Sequence, residues 1–190
     1  MDIDVMVEIP QGSRNKYEMD PKAGRIRLDR MLFTSTRYPL DYGFITDTLA
    51  EDGEPLDALI CLDEPTFPGC LVTVRPVAVF WMLDENGPDA KVLTVCAHDP
   101  RMADVRDLSD VPGYLTAEIS HFFDIYKEIE PCKSSDVRGW QDRAAAERII
   151  KEAQARGGAA LAVPADEARH RTEVCWPYSA PPSDRRVEAG

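Results

Sequence analysis

The sequence predicts an α+β fold, mainly β: a small barrel or curled sheet with helices gathered on one side. Three observations predict it. Strand-period runs fill the first hundred residues, and helix-period runs come only afterwards. The composition, 44% hydrophobic and 29% charged over 190 residues, suits one globular domain with a full core and a tail.

Taken in order, Ile3, Val5, Val7 and Ile9 alternate with Asp4, Met6 and Glu8, which is strand period and points Glu8 away from the apolar face. Lys16 to Asp20 alternate again. Asp20-Pro21-Lys22-Ala23-Gly24 is a turn signal, followed by a second strand reaching Arg30. That hairpin would bring Lys16 and Glu18 near Arg27 to Arg30. Further strand runs are Leu56–Leu62, Leu71–Leu83 and Lys91–Ala97. Pro76 argues that the middle run is bent or lies at an edge. Asp84-Glu85-Asn86-Gly87-Pro88 reads as the turn between two of these strands.

Leu115, Ile119, Phe122, Tyr126 and Ile129 recur at spacings of three and four, so a helix runs until Pro131 stops it. A second helix is expected from about Trp140 to Arg156, ending at Gly157-Gly158. Residues 1–157 are thus expected to form the domain, and 158–190, polar and rich in proline, a flexible tail.

The charge balance narrows the function. The formal net charge is −12, which opposes nucleic acid, because phosphate-backbone affinity needs a basic face. An OB-type single-strand binder would need a basic groove with stacking aromatics and fails on the same ground. No apolar run approaches the roughly 18 residues of a membrane span. The opening MDIDVMVEIP lacks the basic and apolar regions of a signal peptide, so a cytoplasmic protein is expected. Cys61, Cys70, Cys96, Cys132 and Cys175 are odd in number and form no C-x-x-C pair, which favours reduced thiols over disulfides or zinc. His98, His121 and His170 show no metal-pair spacing.

Two acidic segments stand out. Asp52, Glu54 and Asp57 surround a turn containing Gly53 and Pro55, and Asp84, Glu85 and Asp89 flank the later turn. Carboxylate oxygens are hard ligands suited to magnesium or calcium. Each segment alone also reads as an ordinary solvated acidic turn. An EF-hand is excluded on spacing, because its fifth position would be Leu56 and no glycine follows at the sixth. An acidic chain that handles an anion needs local positive charge, and metal ions held by carboxylates can supply it. Scattered Lys16, Arg30, Lys91 and Lys127, with Tyr38, Tyr42 and Tyr126, are the other candidates, although each singly reads as surface charge or core.

These residues fall into an ordered set. E-D-G-E-P-L-D-A at 51–58 resembles the D-x-D-P-x-D signature of the soluble single-domain inorganic pyrophosphatases. V-E-I-P at 7–10, K-Y-E at 16–18, L-D-R at 28–30 and Y-P-L-D-Y-G-F at 38–44 support it. So do F-P-G at 67–69, R-P-V at 75–77, D-E-N-G-P-D-A-K at 84–91 and H-F-F-D-I-Y-K-E-I-E at 121–130. The resemblance is closest to the bacterial branch and runs from about residue 2 to about residue 156.

The resemblance implies a closed five-stranded OB-like barrel with added hairpins and two C-terminal helices. It implies hydrolysis of inorganic pyrophosphate to two phosphates by a metal-bound water or hydroxide. Several magnesium ions are implied, with manganese as the alternative. Asp52, Asp57, Asp84 and Asp89 would be metal ligands, with Glu8 at a further metal position. Lys16, Arg30, Tyr42, Lys91, Tyr126 and Lys127 would hold phosphate oxygens. Glu18, Tyr38 and Glu85 would support the site, and Asp89, Glu54 and Asp57 would act on the attacking water and its protons. A homohexamer is implied as well.

One position departs from the pattern. The signature has Asp where this chain has Glu54, with the same charge and one more methylene. A misplacement of about 1 Å can cost roughly a hundredfold in rate. The alternative reading is therefore a weakened or inactive relative that binds pyrophosphate or related phosphates without turning it over.

Overall fold

In the computed structural model, which describes residues 1–161 and side chains through residue 158, eight strands and two α-helices form in a mainly β order. The strands are β1 (Ile3–Ile9), β2 (Asn15–Asp20), β3 (Arg25–Met31), β4 (Asp41–Ile45), β5 (Asp57–Cys61), β6 (Leu71–Asp84), β7 (Gly87–Cys96) and β8 (Ser135–Gln141). The helices are α1 (Gly113–Ile125) and α2 (Arg143–Leu161). The main sheet has the order β1-β4-β5-β7-β6-β8, and β1 also pairs with β6. Five strands therefore close a ring, and β8 extends it outside. Closure removes the free edges that an open sheet would leave. β5 and β7 pair in parallel and place Asp57 opposite Lys91.

The ring is buried on both faces. Along β5, Ala58 and Ile60 pack with Val5, Val7 and Ile150 of α2, while Leu59 packs with Phe80, Leu93 and Phe123 of α1. Period-2 alternation thus feeds two apolar groups, and each fully buried Phe or Ile contributes roughly 1.5–3 kcal/mol. The helices join different groups rather than one side of the sheet, which corrects the sequence expectation.

β2 and β3 form a separate two-stranded hairpin. Its register sets Lys16 opposite Arg30 and Glu18 opposite Arg27, as the alternation required. Pro76 is accommodated by position. β1 covers β6 only as far as Val74, and β8 ends opposite Val79, so on that side Pro76 falls in a gap between partner strands. A register shift against β7 at Pro76/Ala78 bends the strand there.

The burial of Glu8 and three element boundaries differ from expectation. Glu8, although it alternates with Val7 and Ile9, is buried, because β2 lies over it and the Met19 amide donates to its Oε1 at 2.7 Å. α1 ends at Ile125, and tight turns carry the chain through Tyr126 to Glu130 before Pro131. Trp140 belongs to β8, whose short polar alternation hid it, and α2 starts at Arg143. Gly157 does not terminate α2: a Cβ there would lie 2.8 Å from the Asp47 carbonyl oxygen, so the glycine permits close packing within a helix that runs to Leu161. Residues 162–190, most of the expected tail, lie outside the described residues.

Candidate active site

The expected site residues come from seven separate stretches of chain, and the ring brings most of them to one end. Asp57 opens β5, Asp84 closes β6, and Asp89 and Lys91 lie near the start of β7. Tyr42 stands near the start of β4. Tyr126 and Lys127 follow α1, and β2 and β3 supply Lys16, Glu18 and Arg30.

Lys91 is the centre. It is 2% exposed, and its Nζ donates to Tyr42 Oη at 2.9 Å, Asp57 Oδ2 at 2.7 Å and Asp89 Oδ2 at 2.9 Å. Tyr42 Oη in turn donates to Asp57 Oδ2. The ammonium also lies 5.2 Å from the Phe123 ring centre and 5.3 Å from that of Tyr42. Burial works against its charge, but Asp57 and Asp89 outweigh burial and hold its pKa well above the usual lysine value. Burial, opposed by Lys91 and reinforced by Asp57, raises the Asp89 carboxyl above its ordinary value.

A second knot stands beside the first. Lys127 Nζ donates to Asp84 Oδ2 at 3.0 Å and to Glu85 Oε2 at 3.2 Å, and lies 5.4 Å from the Tyr126 ring centre. Burial opposes ionisation of Asp84, yet the Asn86 amide and Lys127 outweigh it and hold the carboxyl below its usual range. Lys91 lowers the Asp84 pKa while Asp84 raises that of Asp89, so the two knots share one field. Tyr38 and Tyr42 are buried, with ring centres 5.4 Å apart, and burial first, then neighbouring negative charge, pushes both phenols well above 10.

The hairpin closes a third side. Lys16 pairs with Glu18 and lies 3.8 Å from Asp29. Arg30 donates from Nη1 to Asp29 at 2.5 Å and from Nε to Glu130 at 2.9 Å. Glu130, unassigned from sequence, is buried, and its Oε1 and Arg30 Nη2 are both buried without a hydrogen-bond partner. Its only sequence signal was its place at the end of the H-F-F-D-I-Y-K-E-I-E run.

Asp52 and Glu54 sit differently. Both are exposed on the turn before β5, where the Glu54 amide donates to Asp52 Oδ1 at 3.0 Å and Gly53 takes φ +88°. Among the described residues no three carboxylate, imidazole or thiol side chains converge as a preformed metal cage. The aspartates are held in groups by Lys91 and Lys127.

The residues nonetheless fit divalent cations. The donors are carboxylate oxygens, the hard ligands such ions prefer. Asp57 and Asp89 already share one cationic partner in Lys91. Burial, partly offset by the Met19 amide, pushes the Glu8 pKa up to about 7. A carboxyl raised in the fold destabilises it as pH climbs from the unfolded value through 7, unless a cation offsets the charge.

Known proteins resemble this chain. The family model described as Inorganic pyrophosphatase matches residues 5–157. An inorganic pyrophosphatase of Streptomyces coelicolor is 54% identical over 156 residues, covering 82% of this chain and 96% of that one. One from Methanosarcina mazei is 51% identical, covering 80% and 89%. The crystal structure of the Thermus thermophilus inorganic pyrophosphatase superposes with a TM-score of 0.81 at 46% identity, covering 83% of this chain and 91% of that one. The family model over residues 5–157 and these relatives, each matching about four fifths of the chain, place it in the inorganic pyrophosphatase family.

Proposed function

We propose that the chain hydrolyses inorganic pyrophosphate to two phosphates with the help of several divalent cations, magnesium first and manganese as the alternative. The observation that carries this reading is the buried Lys91, held by Tyr42, Asp57 and Asp89 beside the Lys127–Asp84–Glu85 knot. It supplies compact positive charge and a reserve of carboxylates in one place.

Asp52, Asp57, Asp84, Asp89 and Glu8 would hold the cations. When bound, such ions neutralise phosphate charge and lower the pKa of water toward neutrality. Lys16, Arg30, Lys91 and Lys127 stabilise charge on the transferring and leaving phosphates, and Tyr42 and Tyr126 donate hydrogen bonds without adding net charge. Tyr38, Glu18 and Glu85 support that set: Tyr38 packs on Tyr42, while Glu18 and Glu85 hold Lys16 and Lys127. Asp89, its carboxyl raised by burial, takes a proton, and Glu54 orients the attacking water together with Asp57. Water oxygen bonds to one phosphorus, the bridging P–O bond breaks, and the second phosphate departs.

Residues 1–157 form the catalytic unit in this reading and 158–190 an accessory tail, supported by the match over 5–157. The thiols of Cys61, Cys70 and Cys96 are free, which suits the reducing cytoplasm. Exposed Phe67, Tyr114 and Ile129 are the kind of surface a homohexamer would cover. Steady-state phosphate release from pyrophosphate, with magnesium and with chelator, tests the assignment. Cation-dependent turnover supports it, and binding without turnover returns the weakened-relative reading.

A further inference from the structure

We propose that a cavity at the far end of the ring binds a phosphate-type dianion, separately from the candidate active site. The cavity has a volume of about 440 Å³ and is lined by Arg75, His98, Asp99, Arg106 and Arg143, among others. Arg75 lies near the start of β6, which Asp84 closes, and His98 follows the end of β7, near whose start Lys91 lies. None of the candidate site residues lines it.

The charge balance of this cavity is unlike that of the chain. Three guanidiniums face it in a protein of net charge −12. The Asp99 carboxylate is turned to Arg101, accepting from Nη2 at 2.6 Å and from Nε at 2.9 Å. Arg143 Nε is taken by Glu147 at 2.8 Å. The Arg75 and Arg106 guanidiniums have no carboxylate partner among the described residues, while the Arg106 amide donates to Asp110 Oδ2 at 3.0 Å. Arg75 Nη2 donates to the Met102 and Val105 carbonyls at 2.8 and 3.0 Å, and Arg106 Nε donates to the Ala103 carbonyl at 3.1 Å. Arg75 Nε is buried with no partner at all.

Carbonyls satisfy donors but do not cancel charge. Two guanidiniums that meet only carbonyls stand beside a third, while the neighbouring Asp107 and Asp110 carboxylates are held by the Arg143 and Arg106 backbone amides, so the side-chain charge offered to the cavity is positive. Guanidinium forks match the oxygens of a phosphate, and two formal charges call for a dianion. Arg106 and Arg143 would bond it directly, and Arg75, more deeply placed, would supply charge from behind. Inorganic phosphate and the phosphate of a nucleotide share this chemistry.

Equilibrium dialysis of the full-length protein against radiolabelled inorganic phosphate, with chelator present, tests the site whether or not the chain turns over pyrophosphate. A class of phosphate sites is expected that Arg106→Gln and Arg143→Gln each weaken about tenfold, the scale of one lost charge-assisted hydrogen bond. Lys127→Gln, at the candidate active site, leaves that class intact. Arg106→Gln keeps initial turnover at low phosphate within about twofold of the parent, and its exposed position keeps its melting temperature unchanged. Displacement by AMP at lower concentration than by phosphate identifies the nucleotide as source, and the reverse order identifies the free ion. Unchanged phosphate affinity and stoichiometry in both arginine variants overturns the proposal. So does displacement of phosphate by chloride at equal concentration.

Discussion

Lys91 carries the heaviest electrostatic duty of any single residue. Replacing it with Met leaves Asp57 and Asp89 close together without their common cation, a change that costs about 3–5 kcal/mol when a buried pair is broken. Lys91→Met should therefore lose that stability in chelator, recover part of it in magnesium, and turn over pyrophosphate at least about a hundredfold more slowly. Urea midpoints with and without magnesium, beside phosphate-release rates, check all three outcomes. Glu130 pairs with Arg30 at 2.9 Å and with Lys133 at 3.6 Å. Glu130→Gln should raise KM several-fold with a smaller change in kcat, because it loosens a group proposed to bind phosphate. A kcat loss with unchanged KM would place Glu130 elsewhere in the mechanism. At the exposed turn, Glu54→Asp should raise turnover if the longer arm misplaces water; an unchanged or lower rate would show that the site has adjusted to glutamate.

Between elements, close approach decides stability where side chains are smallest. A Cβ on Gly43 would lie 1.9 Å from the Met6 carbonyl oxygen, so β1 and β4 could not keep their pairing. Gly43→Ala should destabilise by about 3 kcal/mol or more, read as a lower denaturation midpoint. Asp107 joins two other elements by accepting from the Leu108 amide and from the Arg143 amide at the start of α2. Those amides, the Arg143 one foremost, hold its carboxyl below the ordinary range. A depressed carboxyl contributes stability above its unfolded pKa and loses it as pH falls through the folded value. Asp107→Asn should thus be less stable than the parent near neutral pH and converge with it in acid. Equal midpoints at neutral pH would contradict this. The elements also show why parts of the fold were legible. β1 and β2 were legible by alternation, and β5–β7 by apolar runs that fit strands buried on both faces. β8 was missed because Ser135–Gln141 carries only scattered apolar residues, and it pairs with β6 outside the ring. The early end of α1 was equally hidden, because Tyr126 and Ile129 keep helical spacing after the chain has turned.

For the molecule as a whole, the ordered motifs made the ring and most of the site readable, since Tyr42, Asp57, Asp84, Asp89, Lys91 and Lys127 do meet at one end. Glu130 escaped notice because its partner Arg30 lies a hundred positions away, and that pairing exists only once the hairpin folds beside the segment after α1. The burial of Glu8 was hidden for the same reason, as no pattern within β1 shows that β2 covers it. A chain ending at Leu161 should keep full turnover if residues 1–157 are the catalytic unit, and a large loss would assign the remaining residues a part in it. The central claim is that this acidic chain handles a polyanion through cations gathered by its own carboxylates. Its most direct test is steady-state phosphate release from pyrophosphate by the purified protein, titrated with magnesium from chelator to saturation. Turnover that is absent in chelator and rises with magnesium is the predicted result. Metal-independent turnover, or none at any magnesium concentration, would contradict the account.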